Sequence, residues 1–231
     1  IYIVEDSYKN LKKQLNKFLV TAIFTERVLL IEGPSERILF EKILSEINPE
    51  YELEGAYILE VFGITFKKYR DILTALNIKV FVKTDNDLKG KRGSNKYDLL
   101  GINRGLELVN KTKKAPVTIK IINVNDKKEK YIKLTKKKLE IFSNLKFCIK
   151  NLKKNDIYIS EIDLEHDLEK ALGKDRLKDL LGKEEPVKYL QAAKLINMVE
   201  LSNILTKDDC EKIFNDERFL ALKRLVENID S

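Results

Sequence analysis

Val28-Leu29-Leu30-Ile31-Glu32-Gly33-Pro34-Ser35-Glu36 is the stretch on which the fold turns. Four apolar residues follow one another without a polar interruption. Such a run is predicted as a strand buried on both faces, the habit of parallel sheets. Gly33-Pro34 then turns the chain, and an amphipathic helix is predicted over residues 35–47. Glu32 would stand at the carboxyl edge of that strand, where open α/β sheets hold their ligands. A βα turn with one solvated glutamate would look the same locally, so the rest of the chain has to decide.

Outward from this stretch, strands and helices alternate. Residues 57–61 read as a strand broken by Gly63, and residues 66–77 as a helix with Tyr69, Leu73 and Leu76 inward. A strand over 79–84 ends in Asp85-Asn86-Asp87, and a loop rich in Gly, Lys and Asn follows over 88–96. A helix is predicted over 97–110, and residues 117–122 alternate like a further strand. Residues 127–152 are helical and basic, 157–159 form a short strand, and 160–168 read as a strand-to-helix junction. Helices are predicted over 187–201 and 207–229. The order implies an α/β fold, a parallel sheet flanked by helices. The expected division is a connector helix in 1–27, an α/β domain over 28–201 with a basic helical insertion at about 111–154, and a helical extension over 202–231. The chain opens on Ile1, so it is expected to be a piece of a longer protein.

Bulk properties narrow the classes. No apolar run approaches the ~20 residues of a membrane span, and no signal peptide is visible. Cys148 and Cys210 lie far apart without CxxC spacing, as expected of thiols in a reducing cytoplasm. With a single histidine, His166, a histidine-based triad would have to pass through that residue. The net charge of +7 is unevenly spread: fifteen lysines face three acids in residues 111–154, so that segment carries +12 and the remainder −5. A basic segment beside an acidic remainder points to a polyanionic partner on one face, although a solvated lysine-rich helix has the same composition.

The acids carry the chemistry. Asp85 and Asp87 are two apart, so at an extended strand end they face the same way. Two carboxylates held together repel unless a cation lies between them, and hard oxygen donors suit Mg²⁺ or Mn²⁺. Glu32 ends another strand at the same edge, which brings three carboxylates toward one point. Glu36, three residues after Gly33, also suits a helix N-terminus electrostatically.

Glu32-Gly33-x-x-Glu36, Gly63 before a helix, and Thr84-Asp85-Asn86-Asp87 together resemble the Toprim domain, in its OLD-family (overcoming lysogenization defect) version. The run from Phe62-Gly63 through Phe66, Tyr69, Leu73, Leu76 and Ile78 reads the same way. The resemblance, nearest to the Gabija anti-phage type, is specific over 28–110, looser over 160–201 and absent in the basic segment. It implies a metal-dependent DNA endonuclease, with two divalent ions about 4 Å apart. It also implies metal ligation by Glu32, Glu36, Asp85 and Asp87, and a second patch at Asp163 and Glu165. Glu32 could alternatively accept a proton from water. A late-helix lysine would face the scissile phosphate; Lys194 is the choice and Lys188 the competitor. The family further implies double-stranded DNA as partner, homo-oligomers and, for Gabija, a helicase-like partner protein, GajB. No GxxxxGK[ST] phosphate loop is present, so the ATPase such proteins carry would lie upstream. A Toprim ribonuclease acting on structured RNA, and a non-catalytic binding or assembly module, are the competing readings.

Overall fold

The computed structural model describes residues 17–62, 66–121 and 126–227. Residues 1–16 of the connector expected over 1–27, residues 63–65, residue 122 of the strand predicted over 117–122 and residues 228–229 of the helix predicted over 207–229 lie outside the described residues. The architecture is a four-stranded parallel sheet in the order β2-β1-β3-β7, with β1 Arg27–Ile31, β2 Ala56–Glu60, β3 Lys79–Thr84 and β7 Ile157–Ile159. Every residue of β1 is buried, because helices cover both faces of the sheet. Leu29 and Ile31 point into one core with Ile58, Phe81 and Tyr158; Val28 and Leu30 point into the other with Leu59, Val80, Val82 and Ile157. This two-sided burial is why the strand reads as an unbroken apolar run rather than an alternating one.

The first core is closed by α2 Pro34–Ile47 and by helices late in the chain: α7 Leu164–Leu172, α8 Lys174–Leu181, α9 Pro186–Ala192, α10 Lys194–Ile204, α11 Lys207–Asn215 and α12 Leu220–Val226. Leu205, Cys210, Ile213, Phe219, Leu222 and Leu225 belong to the same cluster as Leu29, so residues beyond 201 pack directly against the sheet's covering layer. Burial pushes the Cys210 thiol up to about 11, and both cysteines are free. The second core is closed by α1 Lys17–Ala22, α3 Phe66–Ala75, α4 Leu100–Leu108, α5 Lys127–Asn144 and α6 Lys146–Lys153. Among the described residues, no helix is long and apolar enough to cross a membrane.

Several expectations are corrected. Residues 88–96 are not a plain loop: β4 Leu88–Gly90 and β5 Lys96–Leu99 form an antiparallel pair, and the helix predicted from 97 begins at Leu100. The strand predicted over 117–122 is short, β6 Val117–Thr118, and pairs antiparallel with β5 instead of joining the parallel sheet. Its alternating polarity is the signature of a strand with one wet face, which a doubly covered sheet does not take. Leu76, expected inward, is half-exposed beyond the end of α3. The helix predicted over 187–201 breaks at Ala193, whose backbone leaves the helical region at φ −142°. The one predicted over 207–229 breaks at Asp216 into α11, a 3₁₀ turn and α12. The helix α8 was not predicted.

Two stability predictions follow from this packing. Leu29→Ala removes a fully buried side chain from the central strand, and urea unfolding is expected to register a loss of about 2–5 kcal/mol. Asp209 caps α11 reciprocally with Thr206 and receives two bonds from Arg176, which hold its carboxyl down to about 2. A carboxyl depressed in the folded state contributes stability above its unfolded value, and loses that contribution as pH falls through its folded value. Asp209→Asn is therefore expected to destabilise the chain at neutral pH, with the gap to wild type narrowing as pH is lowered from about 4 to 2.

Candidate functional site

The parallel register delivers the acids to one edge. Leu30 is level with Val82 across β1 and β3, and Thr84 is level with Ile159 across β3 and β7. The residues that follow these strands therefore emerge side by side: Glu32, Asp85 and, after a short turn, Asp163. The chain leaves β1 toward β2 on one side and meets β3 on the other, so the crevice lies at the topological switch point of the sheet.

Glu32 Oε1 accepts from the Thr84 hydroxyl at 2.5 Å and from the Asp85 amide at 3.2 Å. The same oxygen accepts from the Arg104 guanidinium, which also donates to Thr84 Oγ1. Arg104 stands on α4, with its guanidinium 5.1 Å from the centre of the Phe66 ring. Glu36 occupies the first turn of α2 behind Gly33 and Pro34; with glycine at the N-cap, no side-chain capping bond forms. Burial, the nearby Glu32 and Glu165 push the Glu36 carboxyl up to about 7. Asp85 is buried and raised well above the usual carboxylate range, first by burial and then by Glu36, Asp163, Glu32 and Asp87.

Asp87 is more exposed than Asp85 and takes a different partner: Lys138 of α5 reaches its Oδ1 at 3.0 Å and the Ile162 carbonyl at 3.2 Å. Between the two aspartates, Asn86 is fully buried and donates to the carbonyls of Lys138 and Glu161, both at 3.0 Å. Asp163 caps α7 by accepting from the His166 amide at 3.1 Å, holds the His166 ring at 2.5 Å, and accepts from Gln191 at 2.9 Å. Both of its oxygens are thus engaged; burial would raise this carboxyl, and the His166 bonds outweigh it and lower it.

Glu165 is buried on the first turn of α7, and neither of its oxygens has a hydrogen-bond partner among the described residues. Among the described residues Lys194 pairs with it, with Nζ 3.4 Å from Oε1. Burial raises Glu165, and the approach of Lys194 only partly offsets it. Burial works against the charge on Lys194, but Glu165, Asp85 and Asp163 together hold it above the ordinary lysine range. Lys188 instead pairs with Glu185. The break at Ala193 is what starts α10 at Lys194 and turns that lysine toward α7.

Six acids and Lys194 thus lie within one another's electrostatic reach. As the side chains lie, no three Asp, Glu, His or Cys residues among the described ones are close enough to chelate an ion. The donor set nevertheless fits a hard divalent cation. Glu165 is buried without hydrogen bonds, and Asp85 and Glu36 are raised by burial and by their neighbours' negative charge, which a bound cation would relieve.

Residues 23–87 match the family model described as "Overcoming lysogenization defect protein-like, TOPRIM domain". The chain carries an OLD-like Toprim domain. It is 48% identical over 227 residues to a protein of Bacillus cereus (strain VD045) named Endonuclease GajA, covering 98% of this chain and 39% of that relative. The chain therefore spans about two-fifths of the relative's length. The C-terminal region of the Burkholderia pseudomallei OLD protein superposes with a TM-score of 0.54 at 18% identity, over 88% of this chain and all of that one. The corresponding region of the Xanthomonas campestris pv. campestris OLD protein gives 0.50 at 16% identity, over 89% and 94%. These two likenesses concern the fold.

Four residues that shape this Toprim crevice were not singled out from the sequence: Arg104, Lys138, Asn86 and Gly101. Gly101 opens α4 against the acid loop and donates its amide to the Asp87 carbonyl at 3.2 Å. A Cβ there would lie 1.9 Å from the Asp85 carbonyl oxygen and 3.0 Å from the Asp87 amide nitrogen. Both neighbours are backbone, so the loop itself would have to move. Gly101→Ala is expected to destabilise by about 1–3 kcal/mol in urea unfolding. It should also shift the amide resonances of residues 85–87 more than those of β2.

Proposed function

We propose that this chain is the metal-dependent DNA endonuclease domain, nicking or cleaving, of an OLD-type, ATP-regulated nuclease in bacterial anti-phage defence. The observation that carries the reading is the convergence of Glu32, Glu36, Asp85 and Glu165 beside Lys194 at the sheet's switch point, with more negative charge than the protein's own cations offset. The 48% identity to a relative named an endonuclease supports the same chemistry.

In this reading Glu36, Asp85, Asp87 and Glu165 would hold the metal ions, with Glu32 and Asp163 completing the set. Mg²⁺ or Mn²⁺, two ions in this reading, would supply Lewis acidity and a water of lowered pKa. The chain's own groups do the rest. Glu32, fixed by Thr84 and Arg104, is placed to accept a proton from the attacking water or to ligate. Lys194 would stabilise charge developing on the phosphoryl oxygens. Asp163 is already committed to α7, His166 and Gln191, so its contribution is to set the position of Glu165 two residues on, unless it releases a bond to ligate. His166 orients Asp163 rather than acting on substrate. The lysines of residues 111–154 would contact phosphates without reading bases. Double-stranded DNA as substrate, a cytoplasmic setting, homo-oligomerisation, an upstream ATPase region and a helicase-like GajB partner belong to the same proposal.

The test is nicking of supercoiled plasmid with Mg²⁺ or Mn²⁺ against an EDTA control. Glu32→Gln and Asp85→Asn are each expected to lower the rate at least ~100-fold, and Lys194→Ala by about 10²–10³, as for loss of a group that stabilises developing charge. Lys188→Ala should leave it unchanged. Full activity in Asp85→Asn would overturn the reading. Binding without cutting in every metal would replace it with a non-catalytic module, and cleavage confined to folded RNA with a ribonuclease.

A further inference from the structure

A second concavity lies on the flank of the sheet; none of the six crevice acids lines it, and at one end it reaches Ser160 and Glu161. It is a groove of about 640 Å³ floored by the edge strand β7, with α6 on one wall and α12 and the 3₁₀ turn before it on the other. Its volume is that of a ligand site rather than a packing defect.

The charge around the groove is one-sided. Lys146, Lys150 and Lys153 recur four and three residues apart, which puts them on one face of α6. All three are exposed, line the groove and form no ion pair among the described residues. Lys154 follows them, and across the groove stand Arg224 and Arg218, the latter paired with Asp216 at 2.8 Å. The acids of the groove are mostly spoken for. Asp156 is bound by Lys79 at 2.6 Å, Asp167 by Lys83 at 2.7 Å, and Glu161 by Lys170, which leaves Glu217. The lysines of α6 are thus cations without counter-charges. Apolar surface lies between the walls, from half-buried Phe142 and Leu220, over buried Ile149 and Tyr158.

A row of unpaired cations beside apolar surface is the pattern of single-strand nucleic-acid channels: the backbone is held by charge and the bases by stacking. The groove follows β7 to Ser160 and Glu161, two residues before Asp163. A groove of about 640 Å³ suits a segment of one strand, and stacking on its apolar surface is open only to unpaired bases.

We infer that this groove holds the phosphate backbone of a single nucleic-acid strand running to or from the acid crevice. The direction of the strand rests on the phosphodiesterase reading, but occupancy of the groove is measured without cleavage. The probe is a labelled oligothymidylate in EDTA, its binding to the full chain followed by fluorescence anisotropy over a salt series. The triple variant Lys146→Ala/Lys150→Ala/Lys153→Ala is expected to bind at least about tenfold more weakly. Its log–log salt slope should be shallower by about 2, the loss of three contacts at about 0.7 each. A charge-matched variant, Lys68→Ala/Lys207→Ala/Lys212→Ala, takes its lysines from outside both the groove and residues 111–154 and should keep wild-type affinity and slope. All six side chains are exposed, so both variants should unfold like wild type.

Wild-type affinity in the groove variant, an equal loss in the matched variant, or duplex binding as tight as the single strand with the same loss would each overturn the inference. Oligonucleotide binding that depends on the groove, in a chain that never cuts, would leave this inference standing and remove the phosphodiesterase reading. Plasmid nicking by a chain whose oligonucleotide binding ignores the groove would do the reverse.

Discussion

Repulsion between carboxylates at one edge of the sheet is the constraint that the rest of the structure answers. Two unit charges about 4 Å apart interact by about 4 kcal/mol at an effective dielectric near 20. A whole domain is stable by only about 5–15 kcal/mol. Several unscreened acids in one crevice would therefore consume much of the fold's stability. The structure brings one cation to each part of the cluster: Arg104 to Glu32, Lys138 to Asp87 and Lys194 to Glu165. Asp85 and Glu36 are left with raised carboxyls instead. Two large apolar cores, one on each face of the sheet, hold the strand ends in place against this repulsion.

The basic segment does more than add charge. Lys138 of α5 turns inward and binds both Asp87 and the Ile162 carbonyl, so one lysine joins the loop after β3 to the turn after β7. Asn86 makes the same connection through its amide. Behind the crevice, buried Lys83 bonds Ser160 and Asp167, both at 2.7 Å, and ties β3 to β7 and α7 from the opposite face. Breaking a buried pair by removing one partner is costly. The fully buried Lys83–Asp167 pair thus couples β3 to α7 through a low-dielectric contact, beside the more exposed Lys138–Asp87 link. The lysines of α6 face outward and elsewhere, so a single compositional feature serves two separate surfaces.

Much of the architecture was legible because its cause is local. Val28 to Ile31 reads as a doubly buried strand, and Lys79 to Thr84 and Ile157 to Ile159 match their predicted bounds, because buried strands need apolar side chains on both faces. The helix after Glu32 was legible from Gly33-Pro34, since proline suits the first helical position. The placing of residues 117–122 in the parallel sheet failed because periodicity reports burial, not which strand is the neighbour. Arg104, Lys138 and Gly101 had no local signature. An arginine or lysine on an amphipathic helix looks solvated until the partner across space is known, and Gly101 looks like a helix defect until the Asp85 carbonyl is found against it.

By itself the sequence determined the secondary-structure alphabet, the strand ends that carry Glu32, Asp85 and Asp87, and the segregation of charge, because hydrophobic periodicity and composition are properties of neighbours along the chain. Only the tertiary structure decided that Lys194 pairs with Glu165 while Lys188 pairs with Glu185, that Asp163 spends its oxygens on His166 and Gln191, and that the α6 lysines front a groove. Those outcomes depend on where a helix breaks and which elements pack together, and the contacts involved join residues tens of positions apart.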